Sequence, residues 1–357
     1  MQGVSINTPS SSNPMAAANP SAPFIGNQFV QLLRGLMHHD NTVRSEAEQH
    51  YNNLKANYPG TLLTQLLQQL RNSDEAVVRT FSAVLLRGAT TSQRNEVWSK
   101  CAPQTQVLIK QELLQCVIEE KNPQIRKKIC DTIGVLGSWI GDWEELLPFC
   151  FQCTNSDNVV WVESGLEILA YIAIVVGLSG EMKKHCQNIF ALFQRCLTVE
   201  GGTVGVRCRA ISAFANLIIA IEQAKDRQVF RKLVPAVLTA LEEIFRAPNS
   251  EDEAQECMEA MVEIADAHAS FFRPHLNVIL HSMLTVAGAK GAVDDNLRRL
   301  AVECLLRLAE NGGAMCRKMK DNLFVESFYP VLLNVMMELK DHMYNLQVWE
   351  SRENDDV

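Results

Sequence analysis

The residues with the most chemical promise are two cysteines spaced Cys-x-x-Cys, Cys150 and Cys153. Two thiols so placed suit half of a structural zinc site or a thiol–disulfide couple. Structural zinc takes four ligands, however, and neither a second cysteine pair nor a closely spaced histidine pair follows. His38 and His39 are adjacent, so on a helix they point apart rather than converge on an ion. The glycines of EGGTVGV (Gly201, Gly202 and Gly205) precede a helix as a phosphate loop would, yet no strand comes before them and no Gly-Lys-Ser/Thr ending follows. GxSxG, HExxH and the kinase signatures do not occur, and no carboxylate pair is assigned by sequence to a shared pocket. These features read as core thiols and an inter-helix turn in a protein that is not an enzyme and holds no cofactor or metal.

Composition frames that reading. The chain has 357 residues, 47% of them hydrophobic, which exceeds what one compact core accommodates; several domains or an elongated array must result. The net charge of −8 argues against general affinity for nucleic acid or anionic membrane and favours basic protein partners. Eleven cysteines at irregular spacing in apolar helical contexts read as reduced thiols of the cytosol or nucleus. Residues 1–24, rich in Ser, Asn, Pro and Ala, have neither the cationic start nor the apolar stretch of a signal peptide, and are expected to form a disordered leader. No uninterrupted apolar run approaches the roughly 18–20 residues of a membrane span; LAYIAIVVGLSG is short and flanked by charge, so a soluble protein without membrane insertion is expected.

From Asn27 onward apolar residues recur at three-to-four spacing, with helix stops at Tyr58-Pro59-Gly60, Ala102-Pro103, Asn122-Pro123, Ala247-Pro248 and Asn311-Gly312-Gly313. One element repeats: a polar cap, an aliphatic residue, an arginine, and a small residue three places on. It is seen in NTVRSEA, DEAVVRTFS, NPQIRKKIC, TVGVRCRA and DDNLRRLA, with weaker copies DNVVWVESG and DEAQECMEA. Aligning Arg44, Arg79, Arg126, Glu163, Arg207, Gln255 and Arg298 gives steps of 35, 47, 37, 44, 48 and 43 residues. Their mean, about 42, falls in the HEAT or armadillo range.

The fold class predicted is therefore an all-α HEAT-repeat solenoid over residues 25–357, with seven to eight stacked helix pairs. First helices, A, are expected over 27–37, 61–71, 104–119, 143–153, 181–198, 227–246 and 271–287, with an eighth over 324–341 and no evident partner after it. Such an array needs a finished cap, so the residues are expected to be the front of a longer protein. Second helices, B, carry the repeated element. Ala47, Ser82, Ala210 and Ala301 would allow close helix approach, and Ile129 breaks that pattern. Arg126 is placed to bond a neighbouring copy. Acids at Ser250–Glu253 and at Asp294 and Asp295 either cap helices or meet a basic partner. Phe190, Phe193, Phe230 and Phe271 on A helices are either core or the lining of grooves that accept a peptide phenylalanine.

The residues AEQHYNNL from Ala47, AVLLR from Ala83, IKQELL from Ile109, RKKICD from Arg126, VEIAD from Val262 and FRPHL from Phe272 together resemble the importin-β superfamily, in particular its beta-three or importin-five type. The resemblance covers nearly everything after the leader. It implies a nuclear import receptor shuttling between cytoplasm and nucleus as a monomer, carrying basic cargo such as ribosomal proteins or histones and releasing it to Ran-GTP. It further implies an N-terminal-like region at about 41–120, Ran-facing B helices with Arg87, Lys127 and Asp131 as candidates, Asp294 and Asp295 as further ones, and A-helix grooves for nucleoporin Phe-Gly repeats. Two departures stand out: Gly88 replaces a second arginine, and the family's acidic insert is represented only by Glu353, Asp355 and Asp356. The competing reading is a HEAT scaffold of the phosphatase or coat type, without Ran dependence.

Overall fold

The computed structural model describes residues 26–91, 97–141, 143–178, 181–198 and 202–353. The expected leader and Gly201 lie outside them. Among the described residues there is no strand, only an isolated bridge between Lys290 and Val293.

The chain forms helix pairs in strict succession. The first three are α1 (Asn27–Leu36) with α2 (Asn41–Asn57), α3 (Pro59–Asn72) with α4 (Ala76–Thr90), and α5 (Pro103–Glu119) with α6 (Pro123–Ile140). Next come α7 (Leu146–Thr154) with α8 (Val159–Leu178) and α9 (Glu181–Thr198) with α10 (Val204–Ala220). The short α11 (Ala224–Arg227) leads to α12 (Val234–Arg246) and α13 (Glu251–His268), then α14 (Leu276–Gly288) and α15 (Asp295–Asn311); α16 (Gly313–Cys316) precedes α17 (Leu323–Glu353). All seven expected pairs are present, and the fold is an all-α HEAT-type repeat array. It divides into two compact units, Met1–Thr132 and Ile133–Val357, with the division inside α6.

In the first unit α3 packs on α5 and on its partner α4. In the second, the A helices α7, α9 and α12 pack in order, α14 receives α17, and α8, α10, α13 and α15 form a parallel row of B helices. Each helix thus buries one stripe against its own partner and another against the next copy. The small residues expected at close approaches are buried: Ala47, Ser82, Ala210 and Ala301. Ile129 is buried equally well, so this position in the third copy accepts a branched side chain. Gly134 takes the requirement to its limit, since a Cβ there would come 2.5 Å from the Tyr171 side chain.

The repeated arginine is the fourth residue of its B helix wherever it occurs. The turn from A helix to B helix leaves carbonyls without helical donors, and this arginine reaches back to supply one, a turn carbonyl in four copies and that of Ala287, near the end of α14, in the last. Arg44 donates to the His38 carbonyl at 3.4 Å, Arg79 to Ser73 at 3.0 Å, Arg126 to Glu120 at 2.8 Å, Arg207 to Gly202, and Arg298 to Ala287 at 3.0 Å. The expectation that Arg126 bonds a neighbouring copy is therefore corrected: its bond closes its own pair. Three of these arginines also reach forward. Arg79 pairs with Glu120 at 3.2 Å, Arg207 with Glu243 on α12 at 2.7 Å, and Arg298 with both oxygens of Glu338 on α17 at 2.9 and 3.0 Å. Glu120 is a junction, its carbonyl holding Arg126 and its carboxylate Arg79.

Four boundaries differ from the sequence reading. The sixth and seventh A helices begin as 3-10 turns, Gln228–Leu233 and Ala269–His275; Pro235, in the first turn of α12, and Pro274, inside the second 3-10 segment, each lack an amide donor there. The fourth starts at Leu146 rather than Trp143. The eighth, α17, continues as helix to Glu353, beyond the expected end at 341. The membrane reading is also corrected. α8 is long and apolar enough to cross a bilayer, with a mean hydropathy of 2.0 over Val159–Gly177. Here it packs on α7 and α10 as a core helix and carries Glu163 and Glu167.

Arg79 and Glu120 are only 20% and 10% exposed, so Arg79→Ala leaves a carboxylate and a turn carbonyl without donors. We expect a loss of about 2–3 kcal/mol in urea unfolding. Arg246→Ala, which deletes a pair to Glu242 with side chains 74% and 50% exposed, should cost less than about 0.5 kcal/mol.

Candidate functional site

The Cys-x-x-Cys thiols do not form a reactive site. Cys150 and Cys153 are buried on α7, against α8, where a Cβ on Gly165 would come 2.8 Å from that of Cys153. Among the described residues no group of three or more His, Cys, Asp or Glu side chains is arranged to hold a metal ion. His38 and His39 stack on each other, their ring centroids 4.4 Å apart, instead of facing a shared ligand.

In the first unit, the B helices α4 and α6 carry the first group of candidates. Thr132 Oγ1 lies 3.4 Å from the Ala83 carbonyl and ties the two helices side by side. Asp131, one turn beyond Lys127 on α6, lies 3.6 Å from Arg87 of α4. The Arg87 side chain is 45% exposed and that of Asp131 only 14%. Lys127 is exposed and has no ion-pair partner among the described residues. Val77 and Val84 stand exposed on the same helix as Arg87, and Gly88 faces open space. The sequence candidates therefore share one surface: an anchored carboxylate, a cation it orients, a second cation projecting freely, and exposed aliphatic groups. Charged groups beside apolar ones are a composition that protein interfaces share.

In the second unit, Asp294 caps α15, accepting from the Asn296 amide at 2.8 Å, and Asp295 pairs with Arg298 at 3.0 Å. Both serve the helix start, and both remain exposed. Three of the four phenylalanine candidates are corrected to core: Phe193, Phe230 and Phe271 are fully buried. Phe193 and Phe271 both pack on Phe214, with centroids 5.6 and 6.1 Å away, which uses the ring faces a groove would have to offer. Phe190 stays half-buried, 6.4 Å from Phe230, and is the one candidate left at the surface.

A charged network on the B row escaped the sequence reading. Arg209 of α10 pairs with Glu167 of α8, and Glu256 of α13 accepts from Ser212 at 2.8 Å. Burial works against the Arg209 charge, but Glu167 and then Glu256 outweigh it and hold the guanidinium above its usual value. Further along, Asp266 pairs with Arg307 at 3.6 Å and accepts from Asn311 at 3.1 Å. The signal was in the sequence as separations near one repeat length; no single residue among them looks unusual alone.

Comparison with known proteins gives consistent results. The family model described as "IPO5-like, TPR repeats" matches residues 121–282, and "Importin repeat" matches 290–357, together more than half of the chain. A Dictyostelium discoideum protein named "Probable importin-5 homolog" is 24% identical over 90% of this chain, and mouse "Importin-4" is 25% identical over 70%. The chain spans 30% and 22% of their respective lengths. Among solved structures, Kap121p alone superposes with a TM-score of 0.73 at 22% identity over 88% of this chain and 29% of that one. Kap121p bound to RanGTP gives 0.72 at 23% identity, again over 88% and 29%. At such identity the likeness is one of fold.

Burial of the thiols has a consequence that pH exposes. It pushes Cys116, Cys153 and Cys304 up to about 12 and Cys101 and Cys196 to about 11, from an ordinary 9.0. Cys257 is also raised, first by a hydrogen bond with the Cys208 thiol and then by burial. A raised acid stays neutral when folded while its unfolded counterpart ionises. The stability it lends is thus complete below pH 9 and lost as pH climbs from 9 toward 12. Native alkylation at neutral pH should modify Cys186, the only half-exposed cysteine, at least about tenfold faster than the buried thiols. Mass spectrometry reads this directly, and melting temperature should fall above pH 9.

Proposed function

The chain belongs to the importin-β superfamily, and we propose that it acts as part of a nuclear import receptor whose first helix pairs bind Ran-GTP. The observation that carries this reading is the B-helix face of the first unit, with Lys127 exposed and without an ion-pair partner among the described residues, Arg87 oriented by Asp131, and Val77 and Val84 exposed on α4. Kap121p, of the same fold, is known bound to RanGTP, to Nup53p and to Pho4p. By analogy, Asp294 and Asp295 offer exposed carboxylates to a basic partner surface from the second unit, and Phe190 is the remaining candidate for a nucleoporin Phe-Gly contact.

Cargo, on this reading, is basic, of the ribosomal-protein or histone kind. The carboxylates of the second unit's B row, with the net charge of −8, supply steering and complementarity. Release follows from linkage: if Ran-GTP and cargo favour different arrangements of the same helix pairs, each weakens the other by its differential affinity. A receptor of this type works as a monomer and shuttles between cytoplasm and nucleus.

Pull-down of the purified chain with Ran held in the GTP or the GDP state tests the proposal. GTP-dependent capture is expected, and Lys127→Glu should weaken it about tenfold with the circular dichroism spectrum unchanged. Asp131→Lys should also weaken capture, by releasing Arg87. Equal capture of both nucleotide states, or none by a folded chain, would favour the HEAT scaffold; unchanged affinity in both variants would remove these residues from the site.

A further inference from the structure

Two cysteines from successive repeats meet inside the second unit. Cys208 lies near the start of α10 and Cys257 in the second turn of α13, the next helix of the B row. The Cys208 Sγ stands 3.7 Å from the carbonyl oxygen of Glu253, one turn before Cys257, and the two thiols are hydrogen-bonded to each other. Both side chains are buried, 2% and 0% exposed.

The surrounding bonds hold this meeting in register. Ser212, one turn beyond Cys208, donates to the carboxylate of Glu256, the neighbour of Cys257, at 2.8 Å. At the other end of the same seam, His268 Nε2 of α13 lies 3.2 Å from the Ile219 carbonyl of α10. Ala210 and Ala213 of α10 and Ala254 and Ala260 of α13 are all buried, and helices approach more closely where the side chains between them are small. A disulfide requires Cα atoms about 4.4–6.8 Å apart, a separation that two helices reach only at such a seam.

Other buried thiols are spent locally. Cys101 and Cys316 direct theirs at carbonyls shortly before them in the chain, Val97 at 3.2 Å and Leu308 at 3.4 Å. Cys208 and Cys257 instead face each other across two repeats.

We propose that Cys208 and Cys257 are a redox-modification site, a thiol pair that hydrogen peroxide converts to a disulfide bolting α10 to α13. Peroxide is small enough to reach a buried sulfur through local opening of the seam, which a bulky alkylating agent is not. Cys208, as its thiolate, attacks one peroxide oxygen; the O–O bond breaks, hydroxide leaves and takes up a proton to become water, and Cys208 becomes a sulfenic acid. Cys257 then attacks that sulfur; the S–O bond breaks, a second water leaves with the Cys257 proton, and the S–S bond forms. Both sulfurs are oxidised and the peroxide is reduced to two waters. The new bond encloses α12 in a covalent loop and stops the fifth and sixth helix pairs from shifting against each other. Low-molecular-weight thiols reverse it by exchange. The inference is independent of Ran or cargo binding.

Peptide mapping tests it, on the purified chain carrying Cys186→Ser, which removes the half-exposed thiol. The reduced protein is treated with hydrogen peroxide at neutral pH, quenched with catalase, blocked with N-ethylmaleimide in denaturant and digested without reductant. A peptide linking Cys208 to Cys257 is expected, two hydrogens lighter than its parts and at least about fivefold more abundant than any other cysteine linkage. The melting temperature should rise by about 2–5 °C on oxidation and fall back with dithiothreitol. Cys208→Ala should abolish the linkage and the rise together; if that variant does not fold, the mapping of the parent chain decides alone. The proposal is overturned if no linked peptide forms while the circular dichroism spectrum stays native, if other cysteine linkages match it in abundance, if it forms only in denaturant, or if forming it lowers the melting temperature.

Discussion

The structure depends on the bond that the fourth residue of a B helix makes to a carbonyl of the turn before it. That turn has carbonyls that need donors, and the chain must reverse direction within a few residues. A guanidinium reaching back from the first turn of the B helix meets both demands, because its donors are fixed in a plane and its stem spans a turn. The same fork has donors to spare. Where an acid of the next pair lies in range, as Glu120, Glu243 and Glu338 do, one side chain sets the angle within a pair and the contact between pairs. That double use lets a unit of about forty residues propagate without a core of its own.

Such an arrangement sorts charge. Acids gather where A helices turn into B helices, because there they cap amide ends and meet arginines, as Asp294 and Asp295 do for α15. The other edge, where B helices give way to A helices, carries ions of both signs, with Lys183 on Asp226 and Arg307 on Asp266.

The repeat register was legible in the sequence because its markers do structural work. The arginine spacing records where pairs close, and the small residues record where helices meet; Ala210 and Ala301 lie in the interior as that reasoning requires. Exposure was far less legible. Each A helix faces two neighbours, so apolar residues occupy most of its circumference, and periodicity could not separate Phe190 from Phe193, which the fold sends to surface and core respectively. The 3-10 starts of the sixth and seventh A helices lie beside Pro235 and Pro274, which the apolar periodicity does not register. The direction of the Arg126 bond was misread because donor reach along the chain and across to a neighbour are equivalent until the turn is built. The Glu167–Arg209 pair was hidden for the same reason, one repeat apart in sequence and adjacent in space.

The charges that remain after closure carry the functional argument. Most arginines of the B helices are consumed: Arg79, Arg207, Arg209 and Arg298 each hold at least one carboxylate of another repeat. Lys127 stands beside such a set on α6 but answers to none of it, one turn from an aspartate that is itself engaged with Arg87. A lysine so placed contributes little to folding, and its ammonium stays hydrated until something displaces the water. Val77 and Val84 are exposed on the neighbouring α4, so a partner that spans both helices would bury apolar surface as well as pair the charge. The combination of an unspent cation, an oriented neighbour and aliphatic groups exposed on the adjoining helix distinguishes this face from the many charged turns of the array, whose ions already have work within the fold.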